Sequence, residues 1–113
     1  MTPQNPCEFL VIHYAPVPGQ TAGFAWVLLA RSVSDPGRLL DVVTAVDWKG
    51  RVRPQHREYL QALIEEWSGL RGKAAESLFL QAETLSTGPI RLGNRGRATF
   101  EDLAREAETL LAG

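Results

Sequence analysis

The spacing of apolar residues changes partway along this chain, and the change separates a strand-forming half from a helical half. Phe9 to Tyr14 (FLVIHY) is a short apolar run of β-branched and aromatic residues, as expected of a mostly buried strand. Residues 15–22 (APVPGQTA) contain two prolines and a glycine and predict a loop. Gly23 to Arg31 (GFAWVLLAR) predicts a second strand, apolar on both sides. Ser34-Asp35-Pro36-Gly37 carries strong turn chemistry. Leu39 to Trp48 (LLDVVTAVDW) predicts a third strand, with Val42, Thr44 and Val46 on one face and Asp41, Val43, Ala45 and Asp47 on the other. Three strands joined by turns imply an antiparallel meander.

Beyond Pro54, which suits a first helical position, Leu60, Leu63, Ile64 and Trp67 recur at helical spacing. Arg57, Glu58, Gln61, Glu65 and Glu66 fill the opposite side, and Gly69 provides a stop. Residues 73–85 (KAAESLFLQAETL) admit helix or strand, and their alanine, glutamate and leucine content favours helix. Ile90 to Leu92 predicts a short edge strand, and Gly93 to Gly96 a loop. Thr99 with Asp102 predicts a helix N-terminus, and Leu103, Ala107, Leu110 and Leu111 form the buried face of the helix that follows.

The predicted fold is therefore α+β: an antiparallel sheet of three to four strands with two to three helices packed on one face. Residues 1–7 are expected to form a flexible N-terminal tail, and 8–113 a single α+β domain. That arrangement leaves one sheet face without cover, which predicts a homodimer or another protein partner.

Composition narrows the classes. The chain has 113 residues, 44% hydrophobic and 22% charged, the balance of one folded globular unit. Twelve basic against thirteen acidic residues give a net charge of −1, which argues against a surface that is basic throughout. The single cysteine, Cys7, has no internal disulfide partner, and no apolar run is long enough to span a membrane. The expected setting is cytoplasmic, without membrane association.

Candidate chemistry is sparse. His13 lies within an apolar strand, His56 on the polar side of a first helical turn, and Cys7 in the expected tail; nothing in the spacing pairs any of them as nucleophile and base. Their spacing suits no metal, and no motif calls for a cofactor. Six of the twelve basic residues fall in two short stretches: Lys49, Arg51 and Arg53, and then Arg91, Arg95 and Arg97 in a glycine-rich segment. Residues 49–53, read as a strand, would alternate their charges onto one face. Solvated surface is the first reading of these stretches, and an anion, nucleic-acid or acidic-partner site the second. Trp48, ending a strand beside charges, is a candidate interface residue together with Trp26; Trp67 reads as core.

Three stretches taken together are similar to a bacterial domain-of-unknown-function family, number 3037. They are His13-Tyr14-Ala15-Pro16 followed by Gly23-Phe24-Ala25-Trp26-Val27, then Asp47-Trp48-Lys49-Gly50-Arg51-Val52, and last Thr87-Gly88-Pro89-Ile90-Arg91-Leu92. The chain departs from the family's pattern at His13, Gly23, Trp26 and Leu28, where the family has arginine, glutamate, asparagine and glycine. The resemblance implies a small intracellular bacterial domain and carries no assigned activity. The residues themselves favour a non-enzymatic module that binds another protein or itself, with anion or nucleic-acid binding through 49–53 and 91–97 as the alternative.

Overall fold

A computed structural model describes residues 5–17 and 23–111. Four strands, β1 (Pro6–Tyr14), β2 (Phe24–Ser32), β3 (Asp41–Thr44) and β4 (Ile90–Thr99), form one antiparallel sheet in the order β3-β2-β1-β4. Three helices complete it: α1 (Pro54–Ser68), α2 (Lys73–Leu80) and α3 (Phe100–Leu111). The α+β class, the meander of the first three strands and all three helices are as expected. The loop expected over 15–22 lies partly outside the described residues, as do the first four residues of the expected tail.

The local chemistry explains most of these elements. Between β2 and β3, Asp35 accepts the Gly37 amide on its carboxylate while its own amide bonds to Ser32 Oγ, which closes the turn read from the sequence. At α3, Thr99 Oγ1 accepts the Asp102 amide at 3.2 Å, the predicted cap. Residues 73–80 are helical, and a 3-10 turn continues over Ala82–Leu85.

Four expectations are corrected. The sheet begins at Pro6, so Pro6 and Cys7 belong to β1 and not to the tail. β3 ends at Thr44 and not at Trp48: Asp47 adopts a left-handed conformation (φ 55°), and a 3-10 turn over Trp48–Arg51 swings the chain back. Residues 49–53 are therefore not a strand, and their charges do not alternate onto one face. β4 runs for ten residues, through the segment read as a loop. Its glycines have a packing reason: a Cβ on Gly93 would strike the His13 ring, and one on Gly96 the Phe9 ring, so both rings lie across β4 where side chains are missing.

The fourth correction concerns cover. Along β1, Glu8 and Tyr14 lie on the same face by strand parity. Glu8 bonds Arg31, whose guanidinium stacks over Phe79 of α2, and Tyr14 reaches His56 of α1. On the opposite face Val43 lines a groove with Ala104, Ala107 and Leu111 of α3. The helices thus divide between the two faces and do not share one. This accounts for β2, where Ala25 to Ala30 are all buried, without any second molecule. Trp26, Trp48 and Trp67 pack in that core, with Trp26 edge-on to Trp48 at 5.7 Å between ring centres.

Candidate functional site

Arg95 and Arg97 of the second basic stretch lie far from the first, while Arg91 pairs with His13 at the Tyr14 end of β1. Arg53 stands at the Tyr14 end of β1, where its amide donates to the Tyr14 hydroxyl at 3.1 Å. Arg97 stands at the Glu8 end. Six residues of extended strand separate Glu8 from Tyr14, roughly 20 Å. Within the first stretch, the Arg51 guanidinium lies 4.2 Å from the Phe24 ring centre, and the Lys49 carbonyl accepts from Arg57. In the second, Arg91 folds back on the carbonyls of Gly88 and Ile90, both at 2.7 Å. Arg91 is thereby engaged with its own loop.

Arg95 and Arg97 enter a different grouping. Arg97 pairs with Glu8 in the sheet register, and Glu8 pairs in turn with Arg31. The result is a row across three strands: Arg97 to Glu8 at 3.5 Å and Glu8 to Arg31 at 3.3 Å. Arg31 and Glu8 keep only 23% and 21% of their side-chain surface in solvent, while Arg97 keeps 79%. Arg95 lies one pair further along on the same face and donates to the Phe79 carbonyl at 3.4 Å. That carbonyl is in the last turn of α2, where a cation is favoured. Glu8, Phe9, Phe79, Arg95, Gly96 and Arg97 line a cavity of about 250 Å³. Three guanidiniums around one carboxylate leave the site cationic.

Sequence reasoning picked out Arg95 and Arg97 but missed Glu8, Arg31 and Phe79. A signal was present: Glu8 and Arg31 are the lone charges within two otherwise apolar strands. A charge placed there calls for a partner, because burial of an unpaired one is costly.

The remaining candidates have structural employment. Trp48, a candidate interface residue, is 6% exposed and packed on Trp26, which is fully buried. Among the described residues, the Trp26 indole Nε1 is the one buried side-chain polar atom without a hydrogen-bond partner. His13 Nδ1 lies 3.2 Å from the Gly23 carbonyl. His56, expected to be solvated, holds the Tyr14 hydroxyl at 2.7 Å through Nδ1. The same hydroxyl oxygen accepts the Arg53 amide, and the pair ties β1 to the start of α1. Cys7 is fully buried, and burial pushes its thiol pKa up, only partly offset by a backbone hydrogen bond with Ala98. Among the described residues no group of three His, Cys, Asp or Glu side chains gathers as metal ligands would, and no helix is long and apolar enough to cross a membrane.

Both sheet edges are open to approach. β3 spans four residues and borders an apolar groove of about 480 Å³ against α3, beside Val46, which is 82% exposed. β4 is the longer edge. Among the described residues, the backbone of 93–97 bonds to no element beyond β1, and Asn94, Arg95 and Arg97 are exposed. Compared with known proteins, the chain matches no family model, and no curated protein and no solved structure is similar to it.

Proposed function

We propose that the protein is a non-enzymatic interaction module that receives an extended segment of another protein along the outer edge of β4. The observation that supports this most is the contrast between covered faces and an open edge. Helices cover both faces of the sheet, while among the described residues the middle of a ten-residue edge strand keeps its outward backbone groups available. An incoming strand gains main-chain hydrogen bonds from such an edge and specificity from the side chains that flank it.

The charges on that edge favour a different protein over a second copy. Pairing β4 with another β4 would bring two sets of three arginines, Arg91, Arg95 and Arg97, onto one seam, and like charges opposed across strands destabilise pairing. The separation of residues 49–53 from Arg95 and Arg97 also favours a compact partner contact over a continuous nucleic-acid stripe. Membership of family 3037 and a bacterial, cytoplasmic setting belong to the same proposal and add no activity to it.

The test is capture of a partner by the tagged full chain from nuclease-treated lysate, followed by hydrogen exchange on the purified complex. Slowed exchange at 93–97 is the expected footprint. Protection confined to 41–46 and 104–111 would transfer the site to the β3 groove. Loss of every captured protein on nuclease treatment would favour the nucleic-acid alternative.

A further inference from the structure

We infer that the segment docking on β4 is acidic, with carboxylates at alternate positions and one of them seated in the cavity between Arg95, Arg97 and Phe79. The inference rests on the edge reading above and names the chemistry of its partner.

Strand geometry comes first. Arg95, Gly96 and Arg97 pair in unbroken register with Leu10, Phe9 and Glu8, so Arg95 and Arg97 project from the same face of β4. A strand added outside β4 would place its own residues i and i+2 opposite them, about 5 Å away between Cβ atoms. Gly96, between the two arginines, carries no side chain to obstruct the approach.

Charge comes second. Each guanidinium has five N–H donors in a planar fork. Among the described residues, Arg97 donates one hydrogen bond, to Glu8, and Arg95 one, to the Phe79 carbonyl, while Arg31 behind them is engaged by Glu8. Among the described residues, Glu8 is the only carboxylate lining the cavity, and it pairs with both Arg31 and Arg97. Among the described residues, most donors of Arg95 and Arg97 therefore remain for an incoming anion, and a guanidinium fork matches a carboxylate in a bidentate manner.

Size and walls come third. A cavity of about 250 Å³ lies below the ~300–1,000 Å³ typical of small-molecule sites, so it suits one acidic side chain better than a nucleotide. Phe79 forms an apolar side, while the Phe9 ring packs over Gly96 on the other face of β4. That aromatic wall holds water away from the arginines on its side, which strengthens a charged contact made there.

The experiment titrates the isotope-labelled full chain with a blocked pentapeptide, TEVET, and with its neutral counterpart, TQVQT, following amide and guanidinium resonances. TEVET is expected to shift the amides of 93–97 and the guanidinium signals of Arg95 and Arg97, and to weaken as salt rises. TQVQT is expected to bind the same edge about ten-fold more weakly. The double variant Arg95→Gln/Arg97→Gln is expected to bind both peptides equally. Should that variant not fold, Arg97→Gln alone, altering a side chain 79% exposed, is expected to narrow the difference between the peptides. Equal affinity of the two peptides for the wild-type edge would overturn the acidic assignment and leave edge docking standing. Binding of neither peptide at 93–97 would overturn both. An oligothymidylate that shifts the same arginines more tightly than TEVET would overturn the peptide assignment in favour of phosphate.

Discussion

Glu8 of β1 faces Arg31 of β2 across a register pair, with carboxylate and guanidinium 3.3 Å apart and each about four-fifths buried. Arg97 of β4 closes the row from the other side. Replacing Glu8 removes the one anion among three cations. Glu8→Gln is expected to lower unfolding stability by about 1 kcal/mol in urea titration, since a pair that keeps a fifth of its surface in solvent exceeds an exposed one only modestly. The same variant is expected to bind TEVET more tightly than wild type, because the competing carboxylate is gone. Weaker binding by a folded variant would mean that Glu8 positions the arginines instead of competing for them.

The Cys7 thiol is buried with its pKa raised, so the fold favours the neutral form. Below the ordinary value of 9.0 the thiol is protonated in folded and unfolded chains alike, and its contribution to stability is constant. Above that value the unfolded chain loses the proton first, so the unfolded state binds fewer protons and stability falls as pH rises. Native protein is expected to resist thiol reagents at neutral pH and to react fully in denaturant. A Cys7→Ala variant should lose the alkaline part of the stability decline.

Gly96 lies beneath the Phe9 ring, with no room for a Cβ. Gly96→Ala is expected to cost about 1–3 kcal/mol by overpacking. In a Phe9→Leu background the cost should be smaller, because the shorter side chain withdraws from the collision. A double-mutant cycle measures this coupling, and additivity within about 0.5 kcal/mol would contradict the contact.

Trp48 is buried against Trp26 and is not presented to solvent. Trp48→Ala is therefore expected to destabilise by about 3–5 kcal/mol, the range for deleting a large core aromatic. An exposed tryptophan would change stability by less than about 0.5 kcal/mol. Thermal unfolding of the variant separates the two.

The Tyr14 hydroxyl accepts the Arg53 amide and meets His56 Nδ1 at 2.7 Å. Tyr14→Phe removes both bonds at once and is expected to cost about 1–2 kcal/mol. The imidazole nitrogen resonances of His56 should move with it, since Nδ1 loses its partner.

Elements governed by local chemistry were legible along the chain. The Thr99 cap, the Asp35 turn, the Pro54 helix start and the apolar runs of β1 and β2 depend on residues a few positions apart, and spacing reveals them. Elements that depend on a distant neighbour were not. Gly93 to Gly96 reads as a loop by local propensity, and becomes strand because Phe9 and His13, far earlier in the chain, fill the space the glycines leave. Residues 45–48 continue the alternation of β3, yet the chain turns at Asp47 so that Trp48 can bury its ring on Trp26.

The candidate site divides in the same way. The sequence by itself determined that Arg95 and Arg97 share a spacing of two, and that Glu8 and Arg31 are charges set within apolar strands. Only the tertiary structure decided that these four residues meet, because their register passes through three strands that are not consecutive in the chain. It also decided which surface is open. Helix positions show which side of a helix is apolar but not which face of the sheet it covers, and with both faces covered the docking surface shifts from a face to an edge.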